Sequence, residues 1–306
     1  MRGKYIVLVE TIFCDNERDA TVRQDFFRRW YISLRALASV SVPADCTVKY
    51  ILYVSDDKFQ EKVLVQAFLA SLDPEVARRF VVVPYVHPID GYESKGVVHP
   101  DSLKNPNKTA PRRDWLFEAA LTQINVEGYD RVIRATLDDD DFWMPWQLHE
   151  FIQAADRVFQ PGRIIGVGLR NALVAYHDAS KLDVVELTHH MNGNKFYLSE
   201  IGLFDRQRVL SPWSIPEDFN DSNIARMGRA GVSLSSVGEN KPGWIYNRWG
   251  GNLSLHDKSR YYIKKMHTFE FNNAYELIDS AAARLSSGVP FGGTSVESSN
   301  AVGVGA

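Results

Sequence analysis

Cysteine is scarce: Cys14 and Cys46 are the only two among 306 residues. They show no metal-ligand spacing and no pairing framework, which argues against a disulfide scaffold or a zinc ribbon and fits a reducing compartment. Long apolar runs are missing too. Nowhere do about 18 apolar residues follow one another, so no segment is expected to span a membrane. The apolar stretch after Met1 is shorter than a signal h-region and has no small-residue cleavage site behind it, so a cytoplasmic location is expected. Charge of one sign is not in excess. A net charge of -3 requires no basic face and argues against nucleic acid as the partner. Neither GxxxxGK followed by Ser or Thr nor GxGxxG occurs, which removes the two common glycine-rich phosphate loops.

What is present suits a globular enzyme. With 45% hydrophobic residues the chain can bury a sizeable core. Tyr5–Val9, Val48–Val54 and Phe80–Val83 are short, β-branched apolar runs of strand type, with helical spacing between them over 21–39 and 58–72. A helix over 112–124 and a strand over 131–137 continue the alternation, which predicts βαβ units and a mainly parallel sheet. Pro145 opens a helix over 146–159. Strands are expected at 163–167, 171–176, 195–204 and 244–249, a helix at 222–231, and a last helix beyond 254–262. Residues 85–110 carry Pro88, Pro100 and Pro106 with little periodicity, as a functional lid or a disordered segment would. From about residue 286 the chain is Gly, Ser, Val and Ala without period, and a disordered tail over 286–306 is expected.

Four consecutive aspartates, Asp138 to Asp141, close the 131–137 strand. Adjacent like charges repel, and a divalent cation resolves the repulsion because Mg²⁺ and Mn²⁺ prefer carboxylate oxygens and accept phosphate as a shared ligand. In open α/β sheets ligands sit at the carboxyl ends of strands. The competing reading is a solvated acidic turn that favours the dipole of the next helix. Leu137 before the run and Phe142-Trp143-Met144-Pro145-Trp146 after it favour the site.

The stretch Ile133-Arg134-Ala135-Thr136-Leu137-Asp138-Asp139-Asp140-Asp141-Phe142-Trp143-Met144-Pro145 resembles the strand and "LDxDDxWxP" turn, a DXD motif, of glycosyltransferase-A enzymes, especially family 2 and the rhamnosyltransferase family. The apolar first strand, the helix with Trp30 and Arg35, and the strand ending at Asp56-Asp57 are similar as well. Two departures stand out: Glu10-Thr11-Ile12-Phe13 replaces an Arg-Phe-Asn element, and the fourth aspartate blurs the register. The resemblance implies a Rossmann-like, mainly parallel mixed sheet flanked by helices. It also implies a single merged domain, with a nucleotide-sugar-binding half over 1–145 and an acceptor-binding half over 146–285. It implies donor contacts from Asp138 and Asp139, with Asp138 on the ribose. Asp140 and Asp141 would hold Mn²⁺ or Mg²⁺, and Asp56 would face the base; Asp56 is equally a capping turn.

Arg112 and Arg113 open a helix, where guanidinium groups suit diphosphate oxygens; a solvated basic turn is as good a reading for either alone. Arg134 is expected to pair with the acids. An inverting transferase needs a carboxylate beside the acceptor hydroxyl. Pro216-Glu217-Asp218-Phe219 resembles the family's "ED" element, so Asp218 is the first candidate and Asp221 its rival, although Asp221 or Ser222 would also serve as an N-cap. Tyr246 to Ser254 resembles a late "R-H-x-x-N-x-S" element, with Arg248 toward phosphate and Trp249 where histidine is common. His256 and the His189-His190 pair carry no role. Trp143, Trp146, Trp213 and Trp249 are candidates to pack on sugar rings. The expected partners are a nucleotide-sugar donor and a glycan or other hydroxyl acceptor. The activity expected is that of a hexosyltransferase, with rhamnose and surface polysaccharide synthesis suggested by the resemblance. The alternatives are a carboxylate-metal nucleotidyltransferase and a non-catalytic carbohydrate- or metal-binding module.

Overall fold

The computed structural model describes residues 3–12, 30–55, 59–85, 110–177, 181–188, 192–248 and 263–270. Its first half alternates as expected. β1 (Tyr5–Ile12) is followed by a helix over 30–38 (α1), β2 (Cys46–Ser55), α2 (Phe59–Ala70), β3 (Phe80–Tyr85), α3 (Ala110–Leu121) and β4 (Arg131–Thr136). The second half runs β5 (Phe142–Trp143), α4 (Gln147–Val158), β6 (Ile164–Leu169), β7 (Asn171–His177), β8 (Lys181–Thr188) and β9 (Lys195–Glu200). It continues with α5 (Asp221–Arg229), β10 (Val232–Val237), β11 (Trp244–Arg248) and β12 (Ile263–Glu270).

Seven strands form one sheet in the order β10-β6-β9-β4-β1-β2-β3. Every pairing in it is parallel except those of β9, which runs against both β4 and β6. The fold is therefore α/β, a mainly parallel mixed sheet flanked by helices. β1 is continuously apolar because both of its faces are covered. Tyr5, Val7 and Val9 share a core with Trp30 and Leu34 of α1, Phe68 of α2 and Phe151 of α4. Ile6 and Leu8 share another with Phe117 and Ala120 of α3. On α4 the buried Leu148, Phe151, Ile152 and Ala155 recur at helical spacing, so one stripe faces the sheet. Each large side chain buried this way stabilises by about 1.5–3 kcal/mol.

A second sheet has the order β12-β8-β7-β11-β5. Among the described residues the chain passes from the large sheet to the small one three times: β4 to β5, β6 to β7, and β10 to β11. Because β4, β6 and β10 all run in one direction, all three exits leave by the same carboxyl edge. The small sheet is thereby hung along that edge. Asparagine side chains tie the corner. Asn194 Nδ2 donates to the carbonyls of Leu169 and Asn171 (both 3.0 Å) and its Oδ1 accepts from Gln147 (2.8 Å). Asn240 exchanges hydrogen bonds with the Asn171 backbone.

The structure corrects several sequence expectations. The strand expected over 195–204 stops at Glu200, because its neighbour β4 begins at Arg131, opposite Glu200; the Ile201 amide then bonds Asp130 O at 2.9 Å. β5, β8, β10 and β12 were not expected. β10 is serine-rich, and β12 occupies residues where a last helix was expected; its side-by-side partner β8 lies 75 or more residues upstream on the antiparallel register Ile263↔Leu187 to Glu270↔Lys181. The helix at 222–231 spans Asp221–Arg229, and its N-cap is Asn220 rather than Asp221 or Ser222, with Asn220 Oδ1 accepting from the Asn223 amide at 2.9 Å. Most of the 85–110 loop and the whole 286–306 tail lie outside the described residues.

Candidate functional site

β1 pairs with β2 on one side and β4 on the other, so the chain's winding reverses between β1 and β4. That reversal leaves a crevice beyond the carboxyl ends of the two strands, the place where open α/β sheets bind ligands. The acidic run begins there. The Leu137 amide bonds Glu10 O at 2.9 Å, and the Asp141 amide closes a turn on Asp138 O at 3.1 Å. The turn is clamped from several sides. Ser33 of α1 donates its hydroxyl to Asp141 O at 2.6 Å. The Ser41 amide bonds Pro145 O at 2.8 Å, and the Met144 amide bonds Gly243 O at 2.7 Å.

Asp138 is half-buried, while Asp139, Asp140 and Asp141 retain only 7%, 6% and 0% of their accessible surface. A solvated cap would leave its carboxylates in water, so that reading does not describe this turn. Carboxylates so enclosed require paired or cationic surroundings. Among the described residues, no group of three or more His, Cys, Asp or Glu side chains is arranged to hold a metal ion. A cation at this turn would therefore draw on two carboxylates at most from the described residues and complete its shell with phosphate oxygens and water, as Mg²⁺ commonly does.

Across from the run stands a residue that sequence reading passed over. Lys195 begins β9, and because β9 runs backwards its first residue, not its last, lies at the carboxyl edge beside the end of β4. Its side chain is buried, with 1% exposure, and Nζ donates to the carbonyl of Ile215 at 2.7 Å. Loss of hydration lowers the Lys195 pKa to about 8, and the charges of Glu217, Asp138 and Asp218, in that order, work against the drop. Asp138 and Asp218, from distant parts of the sequence, thus act on one ammonium. Nearby, Tyr197 of β9 shares a hydrogen bond with Ser214 at 2.8 Å, a second tie between β9 and the same segment. The only signal in the sequence was a lysine directly before the apolar Phe196-Tyr197-Leu198.

The remaining candidates fall as follows. Asp218 is exposed and its carbonyl accepts from Asn223 Nδ2 at 2.8 Å. Asp221 is exposed in the first turn of α5, where its charge suits the helix dipole. Arg112 and Arg113 lie in the first turn of α3, and Arg248 ends β11 opposite Tyr176; the side chains of all three lie outside the described residues. Asp56, Trp249, His189, His190, His256 and Cys14 lie outside them altogether, and Cys46 opens β2. Arg134 does not pair with the acidic run. It is fully buried against Glu10 of β1, donates to the carbonyls of Arg208 (2.6 Å) and Leu210 (2.7 Å), and stacks 3.6 Å from the Phe117 ring centroid. Side chains two apart on a strand share a face, and Leu8↔Arg134 and Glu10↔Thr136 are in register, so Arg134 meets Glu10 on the α3 side.

Of the tryptophans, Trp143 is core, with Nε1 donating to Gly193 O at 3.2 Å. Trp146 is half-buried, donates to Pro242 O at 2.9 Å and carries the Lys241 ammonium 3.5 Å over its ring. Trp213 is half-buried against the α3-side core. Among the described residues no helix is long and apolar enough to cross a membrane.

No family model and no curated protein matches the sequence. Among solved structures, S. aureus TarS 1-349 aligns at 12% identity over 80% of this chain and 60% of its own, with a TM-score of 0.40. The same fragment in complex with UDP-GlcNAc aligns at 10% identity over 80% and 58%, with a TM-score of 0.41. CMP:2-keto-3-deoxy-manno-octonic acid synthetase complexed with CTP aligns at 9% identity over 94% and 100%, with a TM-score of 0.36. The chain thus spans about three fifths of the TarS fragment it resembles.

Proposed function

We propose that this chain is a metal-dependent, inverting glycosyltransferase that moves a hexosyl group from a nucleotide-sugar donor to a hydroxyl of a glycan. The observation that carries the reading is the acidic turn: buried aspartates at the switch-point crevice, where the chain passes from β4 into the second sheet. Asp140 and Asp141 would hold Mn²⁺ or Mg²⁺, whose chemistry would be to stabilise negative charge on a leaving diphosphate. Asp138 and Asp139 orient the nucleoside, with Asp56 toward the base and Arg112, Arg113 and Arg248 toward the phosphates. Asp218 accepts the proton of the acceptor hydroxyl. That oxygen bonds to the anomeric carbon from the face opposite the leaving group, while the bond to the phosphate oxygen breaks and the nucleoside diphosphate departs with the electron pair. A cytoplasmic enzyme of surface polysaccharide synthesis, with rhamnose among the candidate sugars, is the setting we assign.

The test is a melting panel of UDP, GDP, dTDP and CDP, each with Mn²⁺ or EDTA, on wild type and Asp140→Asn, followed by product analysis with the matching nucleotide sugars. One nucleotide at about 100 times its Kd stabilises by about 2.7 kcal/mol. That shift is expected only with metal, and is expected to vanish in Asp140→Asn. Pyrophosphate released from a nucleoside triphosphate and a sugar would instead identify a nucleotidyltransferase. Stabilisation by glycans, with none from any nucleotide, would identify a binding module.

A further inference from the structure

The 212–219 segment carries the candidate base yet contributes no regular strand, and its own side chains Glu217 and Asp218 are exposed. Something must fix its distance from the acidic turn if a hydroxyl is to sit between them. Two side-chain hydrogen bonds tie it to β9, Lys195 Nζ to Ile215 O at 2.7 Å and Tyr197 to Ser214 at 2.8 Å, while Asn223 of α5 holds its far end at the Asp218 carbonyl. Lys195 differs from Tyr197 in bearing charge, and in feeling the carboxylates of Glu217, Asp138 and Asp218. A buried ammonium is costly unless its surroundings use it, and this one lies at the backward strand's start, beside the end of β4 from which the acidic run leaves, and bonds the segment that carries Asp218.

We infer that Lys195 is a positioning residue of the transfer site: its buried ammonium pins the Ile215 carbonyl and draws the donor-side Asp138 and the acceptor-side Glu217 and Asp218 toward one point. The inference rests on the transferase reading for its catalytic consequence, but the tether itself stands on the hydrogen bond. At neutral pH the ammonium is charged, so it acts by attraction and by its N–H donor. In this role it acts through the segment it holds rather than on the reacting atoms.

Three variants separate these contributions. Lys195→Met removes charge and donor at similar length; Lys195→Gln keeps a donor without charge; Lys195→Arg keeps both. With the wild-type donor and acceptor, Lys195→Met is expected to lose about 10- to 100-fold in kcat, with donor KM within about threefold, as a misplaced group does. Lys195→Arg is expected to recover part of the loss. In hydrogen exchange, amides of 214–219 in Lys195→Met are expected to exchange about tenfold faster, while α5 stays protected. Should Lys195→Met fail to fold, Lys195→Gln serves both readouts. An unchanged kcat beside an active wild type overturns the catalytic role, and unchanged exchange at 214–219 overturns the tether. A wild type that transfers no sugar sinks the transferase reading instead, and the exchange result then decides for the tether alone.

Discussion

Arg134 and Lys195 are both buried cations at the carboxyl edge, but they face opposite tasks. Arg134 is paired: Glu10 takes its Nε proton, Tyr53 donates to the same carboxylate at 2.8 Å, and the carbonyls of Arg208 and Leu210 take the two Nη1 protons. Removing one partner strands the other, so Arg134→Ala is expected to cost about 3–5 kcal/mol in urea unfolding. Glu10→Gln combined with Arg134→Met is expected to recover most of that; equal losses in the single and double variants would refute the pairing. Lys195 shows its strain through pH. Its pKa is about 8 in the folded chain against an ordinary value near 10.5. Between those values the unfolded chain holds the proton and the folded chain has released it, so raising pH favours folding over that window. The melting temperature of wild type relative to Lys195→Met is therefore expected to climb from pH 8 to 10 and to be flat below pH 7. A flat difference throughout would contradict the burial cost.

At the scale of elements, the turn before β9 is a tight joint. A Cβ on Gly193 would stand 2.0 Å from Trp244 Nε1, and the Gly193 carbonyl holds Trp143, so this glycine lies between two indoles of adjacent strands. Gly193→Ala is expected to cost about 1–3 kcal/mol by overpacking. Gly202, with nothing within 4 Å of its added Cβ, is the control and is expected to change little. The elements of the first half were legible in the sequence because their strands are apolar on both faces and their helices carry one apolar stripe. In the second half α4, β6, β7, β9, α5 and β11 were legible too, and four strands were not. β10 mixes serines with Val and Leu, β5 is two residues long, and β12 is defined by its pairing with β8, which no local pattern reveals.

At the scale of the molecule, the acidic turn was legible as a motif, but its burial was not: three aspartates are enclosed because α1, residue 41 and residue 243 close on the turn from far along the chain. Lys195 was invisible as a site residue for the same reason, since only the reversal of β9 brings it to the edge. We propose Asp218 ahead of Asp221 as the base. Asp218 acts on Lys195 and Asp138 does too, whereas Asp221 lies in the outward first turn of α5. Asp218→Asn is expected to lower turnover by about 10²- to 10⁴-fold with nucleotide binding intact, and Asp221→Asn to leave turnover near wild type. The reverse ranking in single-turnover assays would transfer the role to Asp221.

The strand order also sets a timetable for synthesis. β1 lies between β2 and β4, and Tyr5 meets its β4 neighbour Arg131 only 126 residues later. At about 5–20 residues per second, a ribosome exposes one edge of that apolar strand for about 6–25 s before its second neighbour is made. The nascent chain must survive that interval with β1 half-paired, so cooler or slower expression lengthens the hazard, and a chaperone that shields strand edges shortens its consequences.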